Sequence, residues 1–328
     1  MTLKIGRRKF VAALGGAAAW PIAARGQQRE RVRRVGMMLP PEDAEGQARV
    51  GAFLQELAQF GWAIGRNLRI DIRWDANAGD NHPARAAELV ALAPDVIVTH
   101  GAPPVRALLQ ASRSVPIVFA VATDPVGFGL VQSLARPGGN ATGFMTHEFS
   151  ISGKWLELLK QIAPSVTRVT VFRTDGVGTS DYAVIQAMAA SLRVEVSPAS
   201  MREARDIEQI VAEFARLPNG GLVMTPSNLA IVHRDLIIKL AAEHRLPTVY
   251  YERNFVAAGG LISYGPSYID LYRRAAGYVD RILRGEKPAD LPVQAPVKYE
   301  TVINLRTAKV LGLDIPATVL VRADEVIE

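Results

Sequence analysis

From residue 34 onward, short runs of aliphatic and β-branched residues alternate with stretches whose apolar residues recur every three or four positions. Repeated β-α-β of this kind folds into parallel sheets with helices on both faces. Arg34–Leu39 is the first strand, and Gln47–Phe60 follows with Val50, Phe53, Leu54 and Leu57 at helical spacing. Leu68–Trp74 sets Leu68, Ile70, Ile72 and Trp74 against Arg69, Asp71 and Arg73, which predicts a strand with one wet face near an edge. Ala84–Leu92 and Val105–Ala111 read as helices around the buried strand Val96–Thr99, and Ile117–Ala120 and Ala141–Met145 read as strands.

The pattern then begins again. Lys154–Ile162, Asp181–Leu192, Asp206–Phe214 and Val232–Glu243 read as helices. Val169–Phe172, Val194–Ser197, Leu222–Thr225, Thr248–Tyr250 and Leu261–Ser263 read as strands between them. An amphipathic helix, Asp270–Leu283, stops at Gly285 and Pro288, and the tail holds a strand-like Thr301–Asn304 and a short helix near Thr307–Leu311. The fold class expected is α/β, two Rossmann-like lobes with a cleft between them. Ligands bind such sheets beyond the carboxyl ends of the strands.

The formal charge of +6 suggests a polyanion partner, but its distribution removes that reading. Residues 1–26 hold Lys4, Arg7, Arg8, Lys9 and Arg25 and no acid; of 38 Lys and Arg in the chain, 33 then remain against 32 Asp and Glu. A near-neutral body predicts no nucleic-acid binding. The basic segment is an export signal in form. A mild apolar run from Phe10 to Ala24 ends at Ala24-Arg25-Gly26, with small residues at the −3 and −1 positions of a cleavage site before Gln27. Gly6-Arg7-Arg8-Lys9-Phe10-Val11 resembles a twin-arginine signal, with an ordinary secretory signal as the alternative. With no Cys there is no lipid-bearing cysteine, so the expectation is a soluble periplasmic protein that is not a lipoprotein.

Catalytic patterns are missing. The five histidines form no HExxH pair, and Ser263 has Leu261 where a nucleophile elbow needs Gly. Gly127-Phe128-Gly129 lacks a third Gly, and Gly153-Lys154 has Glu148 where a phosphate loop begins with Gly. No enzyme, metal or cofactor is expected.

The strand ends supply the candidate site. In Thr99-His100-Gly101-Ala102-Pro103-Pro104, Pro103 suits the first helical position, which would leave free N–H groups at the cleft for an anion such as a carboxylate. A plain loop-to-helix turn is the alternative there, and His100 reads as packed. Thr99, Gly101 and Ala102 are therefore candidates. Thr123 is a contact candidate at the next strand end, with Asp124 before Pro125 as a helix N-cap and a lesser contact. Thr174 and the run Thr225-Pro226-Ser227-Asn228 take the equivalent places in the second half, where Thr225, Ser227 and Asn228 offer neutral hydrogen bonds. Tyr264 or Phe144 is the expected wall, Tyr250 and Tyr251 are further aromatic candidates, and Trp155 is a core residue.

Several longer runs carry a resemblance. Val115–Phe119, Thr123-Asp124-Pro125-Val126-Gly127 and Leu134-Ala135-Arg136-Pro137-Gly138-Gly139-Asn140-Ala141-Thr142-Gly143-Phe144 resemble the TrpX-like family of ABC-transporter substrate-binding proteins. Gly153–Lys160, Gly285–Gln294 and Asn304–Leu313 fit the same family. The resemblance implies a type I periplasmic binding fold with three inter-lobe crossings, near Met145, Tyr264 and Val297. A first lobe would then comprise residues 32–145 and 265–296, and a second 146–264 and 297–328. It implies a small solute bound between the lobes and delivered to a membrane permease with its ATPase; the expectation is a monomer and a solute that is carboxylate-bearing, amino-acid-like or aromatic. Relatives that bind aromatic amino acids are similar but read Pro-Thr-Asp-Asn in the second-lobe loop. Here Pro226-Ser227-Asn228 lacks that acid. Either the ligand has no ammonium, or Glu252 or Asp175 substitutes. The competing readings are an exported ligand sensor and an exported enzyme on a doubly wound fold. A DNA-binding regulator of this fold would need a helix-turn-helix where the export-type segment stands.

Overall fold

The computed structural model describes residues 31–75, 81–174 and 178–328. The export-type segment and Asp175 lie outside the described residues. The first sheet is built from β1 (Arg33–Leu39), α1 (Ala44–Gln59), β2 (Leu68–Trp74), α2 (His82–Ala91), β3 (Val96–His100), α3 (Ala102–Ala111), β4 (Ile117–Ala122) and β5 (Ala141–Met145). Its strands are all parallel, in the order β2-β1-β3-β4-β5. Strands β3 and β4 lie between others and are buried at every residue, as continuous apolar runs require. Strand β2 lies at an edge and is mostly half-buried, as its alternation predicted.

The second unit follows with α4 (Ser152–Ile162), β6 (Arg168–Arg173), α5 (Thr179–Ala189), β7 (Glu195–Ser200), α6 (Ala204–Phe214), β8 (Gly220–Met224), α7 (Asn228–Val232), α8 (Arg234–Glu243), β9 (Thr248–Tyr250), α9 (Arg253–Ala257) and β10 (Ile262–Pro266). Strands β7-β6-β8-β9-β10 repeat the parallel order of the first sheet. The chain then forms α10 (Tyr268–Leu283), β11 (Tyr299–Asn304), α11 (Leu305–Val310), α12 (Ala317–Leu320) and β12 (Glu325–Ile327). Strand β11 adds to β10 antiparallel, and β12 adds to β11.

Helix α10 returns to the first sheet. Its Leu271, Tyr272, Ala275, Ala276 and Val279 join Val50, Phe53 and Leu57 of α1 in one apolar cluster. Before β11 the chain also runs beside β5, where the Met145 N–H donates to the Gln294 carbonyl (2.8 Å) and the Gln294 N–H to that of Gly143 (3.0 Å). The chain thus passes between the sheets after β5, after β10 and before β11. Each sheet with its helices is one lobe.

Two local readings change. The helix expected over 232–243 is two helices, broken at His233 (φ −97°, ψ 20°), with a single helical turn, α7, placed at the end of β8. The short α9 carried no periodic signal, because five residues span too little of the helical repeat.

Candidate functional site

The carboxyl ends of both sheets face one cavity of about 500 Å³. That volume lies in the ordinary range for small-molecule sites. The first lobe contributes Gly101, Ala102 and Pro103 after β3, Thr123 and Phe128 after β4, Thr146 after β5, and His82, His100 and Tyr268. Thr174, Met201, Arg202, Ser227, Asn228 and Tyr251 come from the strand ends of the second.

At β3 the chain turns through Gly101 at φ +92° and ψ 152°, a conformation that L side chains avoid. Its N–H donates to the Val121 carbonyl at 2.8 Å, which ties the ends of β3 and β4 together. Gly101 also lies against the opposite lobe, since a Cβ there would come within 3.2 Å of the Asn228 amide. Helix α3 starts one residue earlier than expected, with Ala102 first and Pro103 and Pro104 next. The two prolines have no N–H, so Ala102 alone offers a first-turn donor and the expected array of free N–H groups does not form. Thr99 is fully buried inside the sheet and does not line the cavity.

Thr123 and Thr146 stand side by side at the ends of β4 and β5, their hydroxyls 3.0 Å apart. Asp124 is not a helix cap, because no helix follows β4. It sits at φ +43°, and its carboxylate accepts the Gly127 N–H at 2.9 Å within a turn. That turn carries Phe128 into the cavity while Asp124 itself faces its own loop.

In the second lobe Ser227 caps α7, its hydroxyl accepting from Leu229 N (3.2 Å) and Ala230 N (3.4 Å). Tyr251 holds the same turn by donating its phenol to the Ser227 carbonyl at 3.3 Å. Thr225 is buried and donates to the Phe172 carbonyl at 2.7 Å, so it fixes the strand end and does not line the cavity. Tyr264 faces a different groove and stacks on Tyr299 at 5.8 Å. Phe144 is core, packed on Tyr278 at 4.9 Å. Neither forms a cavity wall, because β5 and β10 point these side chains away from the strand ends. Trp155 is core as expected and donates to the Tyr264 carbonyl at 2.7 Å.

Of the aromatic candidates Tyr251 does line the cavity, and Tyr268, Phe128 and His82 form walls that sequence reasoning missed. Tyr268 stacks on His100 with centroids 5.7 Å apart, and Tyr272 places its hydroxyl 3.1 Å from His100 Nδ1. Burial first, and then the Arg49 charge, push the His100 imidazole down to about 3, so it is neutral. Burial likewise raises the phenols of Tyr251 and Tyr268, which stay protonated and able to donate. His82 Nε2 lies 2.9 Å from Asp75 Oδ2, a carboxylate that also pairs with Arg85. Among the described residues the lining includes no carboxylate, and no group of three His, Asp or Glu gathers that could hold a metal.

Two doubly wound lobes with their strand ends closed on one cleft have the architecture of a type I periplasmic binding protein. The chain belongs to the ABC transporter substrate binding protein family, whose profile matches residues 35–327. It is similar to a tyrosine-binding protein of Clostridioides difficile, 27% identical over 263 residues that cover 80% of this chain and 75% of that protein. In fold it resembles a Streptococcus pneumonia ABC domain in complex with L-Trp (TM-score 0.82, 24% identity, 90% of this chain and 99% of that one). A conserved domain protein from Vibrio cholerae superposes at 0.80 with 28% identity over 90% of this chain and all of that one. Members of the family bind a small molecule for a transporter. Among the described residues no helix is long and apolar enough to cross a membrane.

Proposed function

We propose that this protein is an exported, monomeric receptor that binds an aromatic carboxylic acid of amino-acid size in the cleft and passes it to a permease with its ATPase. It carries out no reaction on the ligand. The two lobes are divided near Met145, Tyr264 and Val297, and the export signal sends the chain to the periplasm.

The observation behind this reading is the pairing of surfaces in the cleft. Tyr251, Tyr268 and Phe128 suit a flat apolar body. The Thr123 and Thr146 hydroxyls and the Ala102 N–H suit a carboxylate. The named relatives, one a tyrosine-binding protein and one solved with L-Trp, point to the same ligand class.

A thermal-shift series with L-tyrosine, L-tryptophan, 4-hydroxyphenylacetate and, as controls, sugars and polyols tests it. An aromatic acid at 100 times its Kd should stabilise the protein by about 2.7 kcal/mol. Thr123→Val should weaken that binding roughly ten-fold by removing a bond to a charged group. Thr225→Val should lower stability and leave affinity unchanged, because its hydroxyl serves the strand end. A shift with polyols and none with any aromatic acid sinks the ligand class.

A further inference from the structure

Helix α1 begins at the carboxyl edge of the first sheet, and its first two turns meet the second lobe through three ion pairs. Asp43, the N-cap, has Oδ2 3.4 Å from Nη1 of Arg234 at the start of α8. Glu45 pairs with Arg253, and Arg49 with Glu252. Glu45 and Arg49 are four residues apart and share a helix face. Glu252 and Arg253 are adjacent where the chain enters α9. The signs are complementary throughout: acid, acid and base on α1 meet base, base and acid on the second lobe. Arg253 is also held within its own lobe by Glu325 at 2.6 Å, with Glu300 at 3.8 Å, so its guanidinium is set in place for Glu45.

The Arg49–Glu252 pair differs from the others in burial. Its side chains are 6% and 0% exposed, although one belongs to each lobe. Arg49 Nε and Glu252 Oε2 have no further hydrogen-bond partner. The pair therefore depends on the lobes being together, since neither charge is compensated without the other. It also touches the cleft. The Arg49 guanidinium lies 4.8 Å from the centroid of the Tyr268 ring, and Glu252 directly follows Tyr251. Tyr268 and Tyr251, one from each lobe, both line the cavity.

We propose that Asp43, Glu45 and Arg49 with Arg234, Arg253 and Glu252 form an inter-lobe clasp that fixes the closed alignment, and that Arg49 and Glu252 are positioning residues bringing Tyr268 and Tyr251 together as the floor of the cleft. A buried ion pair adds little net stability over an apolar one, and half-exposed pairs add little singly. The clasp thus sets register: a misaligned closure leaves buried charges unpaired, and only one alignment satisfies all six groups. This purpose rests on the binding-protein reading, but its test needs no ligand.

The chain has no Cys, so Arg113→Cys and Glu208→Cys supply two exposed label sites, one on each lobe and away from the clasp. Spin labels there report the inter-lobe distance in ligand-free protein by double electron–electron resonance. Arg49→Glu and Glu252→Arg should each lower the closed fraction by about ten-fold or more, and the two together should restore it. Raising the salt to about 1 M should reduce closure in the otherwise unaltered protein through its two partly exposed pairs. Asp43→Asn with Glu45→Gln retains the helix cap and should open the protein in the same direction by less. If the reversed-charge variants do not fold, this neutral variant decides alone. Distances unmoved by the charge changes in folded protein overturn the clasp. If distances respond while no aromatic acid binds, the clasp stands and the ligand class falls.

Discussion

His100 stands where β3 enters the cleft, stacked on Tyr268, beside the Tyr272 hydroxyl and close to the Arg49 charge. Its position implies a pH dependence. The imidazole is held at about 3 in the folded protein against an ordinary 6.5, so between those values the unfolded chain binds a proton that the folded chain refuses. The stability contributed by neutral His100 is complete above about pH 6.5 and is lost as pH falls toward 3, at up to about 1.4 kcal/mol per pH unit. Urea denaturation of the wild type and of His100→Asn between pH 7 and 4.5 measures it. The variant should lose less stability on acidification. Equal losses would show that the imidazole is not held neutral. The other cleft residues divide by where their hydroxyls point: Thr123 toward the cavity, Thr225 into the backbone of β6.

At the scale of elements, the loops after the strands set the chemistry of the cleft. The turn after β4 keeps Asp124 at positive φ, a region that Asp enters more readily than Ala, and its carboxylate closes the turn on Gly127. Asp124→Ala should therefore destabilise by on the order of 1 kcal/mol through left-handed strain together with the lost bond. Asp124→Gly removes the strain and should cost less. Midpoints of urea unfolding give the order, and the reverse order would mean that the turn relaxes to another conformation. The junction from β3 to α3 shows how an element can carry a helix-start signature and still lack the donors expected of it. Pro103 and Pro104 begin the helix well but silence two of its first N–H groups. In the proposed reading the carboxylate contact then falls mainly on the threonine hydroxyls.

For the molecule as a whole, three chain passes between two rigid sheets are the geometry of hinge closure. The groups that meet across the cleft, the Gly101 backbone with the Asn228 side chain and α1 with Arg234, Glu252 and Arg253, describe lobes in contact. Small-angle scattering should show a smaller radius of gyration when an aromatic acid saturates the protein. An unchanged radius under demonstrated saturation would mean that the pocket is rigid and that ligand enters without lobe rotation.

By itself the sequence determined the local order of this protein. The apolar runs at Val96–Thr99 and Ile117–Ala120, the wet edge strand at Leu68–Trp74 and the second round of β-α units were legible because strand and helix periods are local properties. So were the strand-end positions of Gly101, Thr123, Thr174, Ser227 and Asn228, since doubly wound sheets bind ligands there. Tertiary structure decided what each of those residues faces. Of the aromatic candidates Tyr264 and Phe144 turned from the cleft and Tyr251 faced it, and Tyr268 entered unannounced, because side-chain direction at a strand end depends on the twist and crossover that follow. In sequence Glu252 was a candidate partner for a ligand ammonium, and Arg49, 203 positions away, carried no signal at all. They became a buried pair only when the chain had crossed between its sheets and the two lobes met, since burial of a charge is a property of what surrounds it and not of its neighbours in sequence.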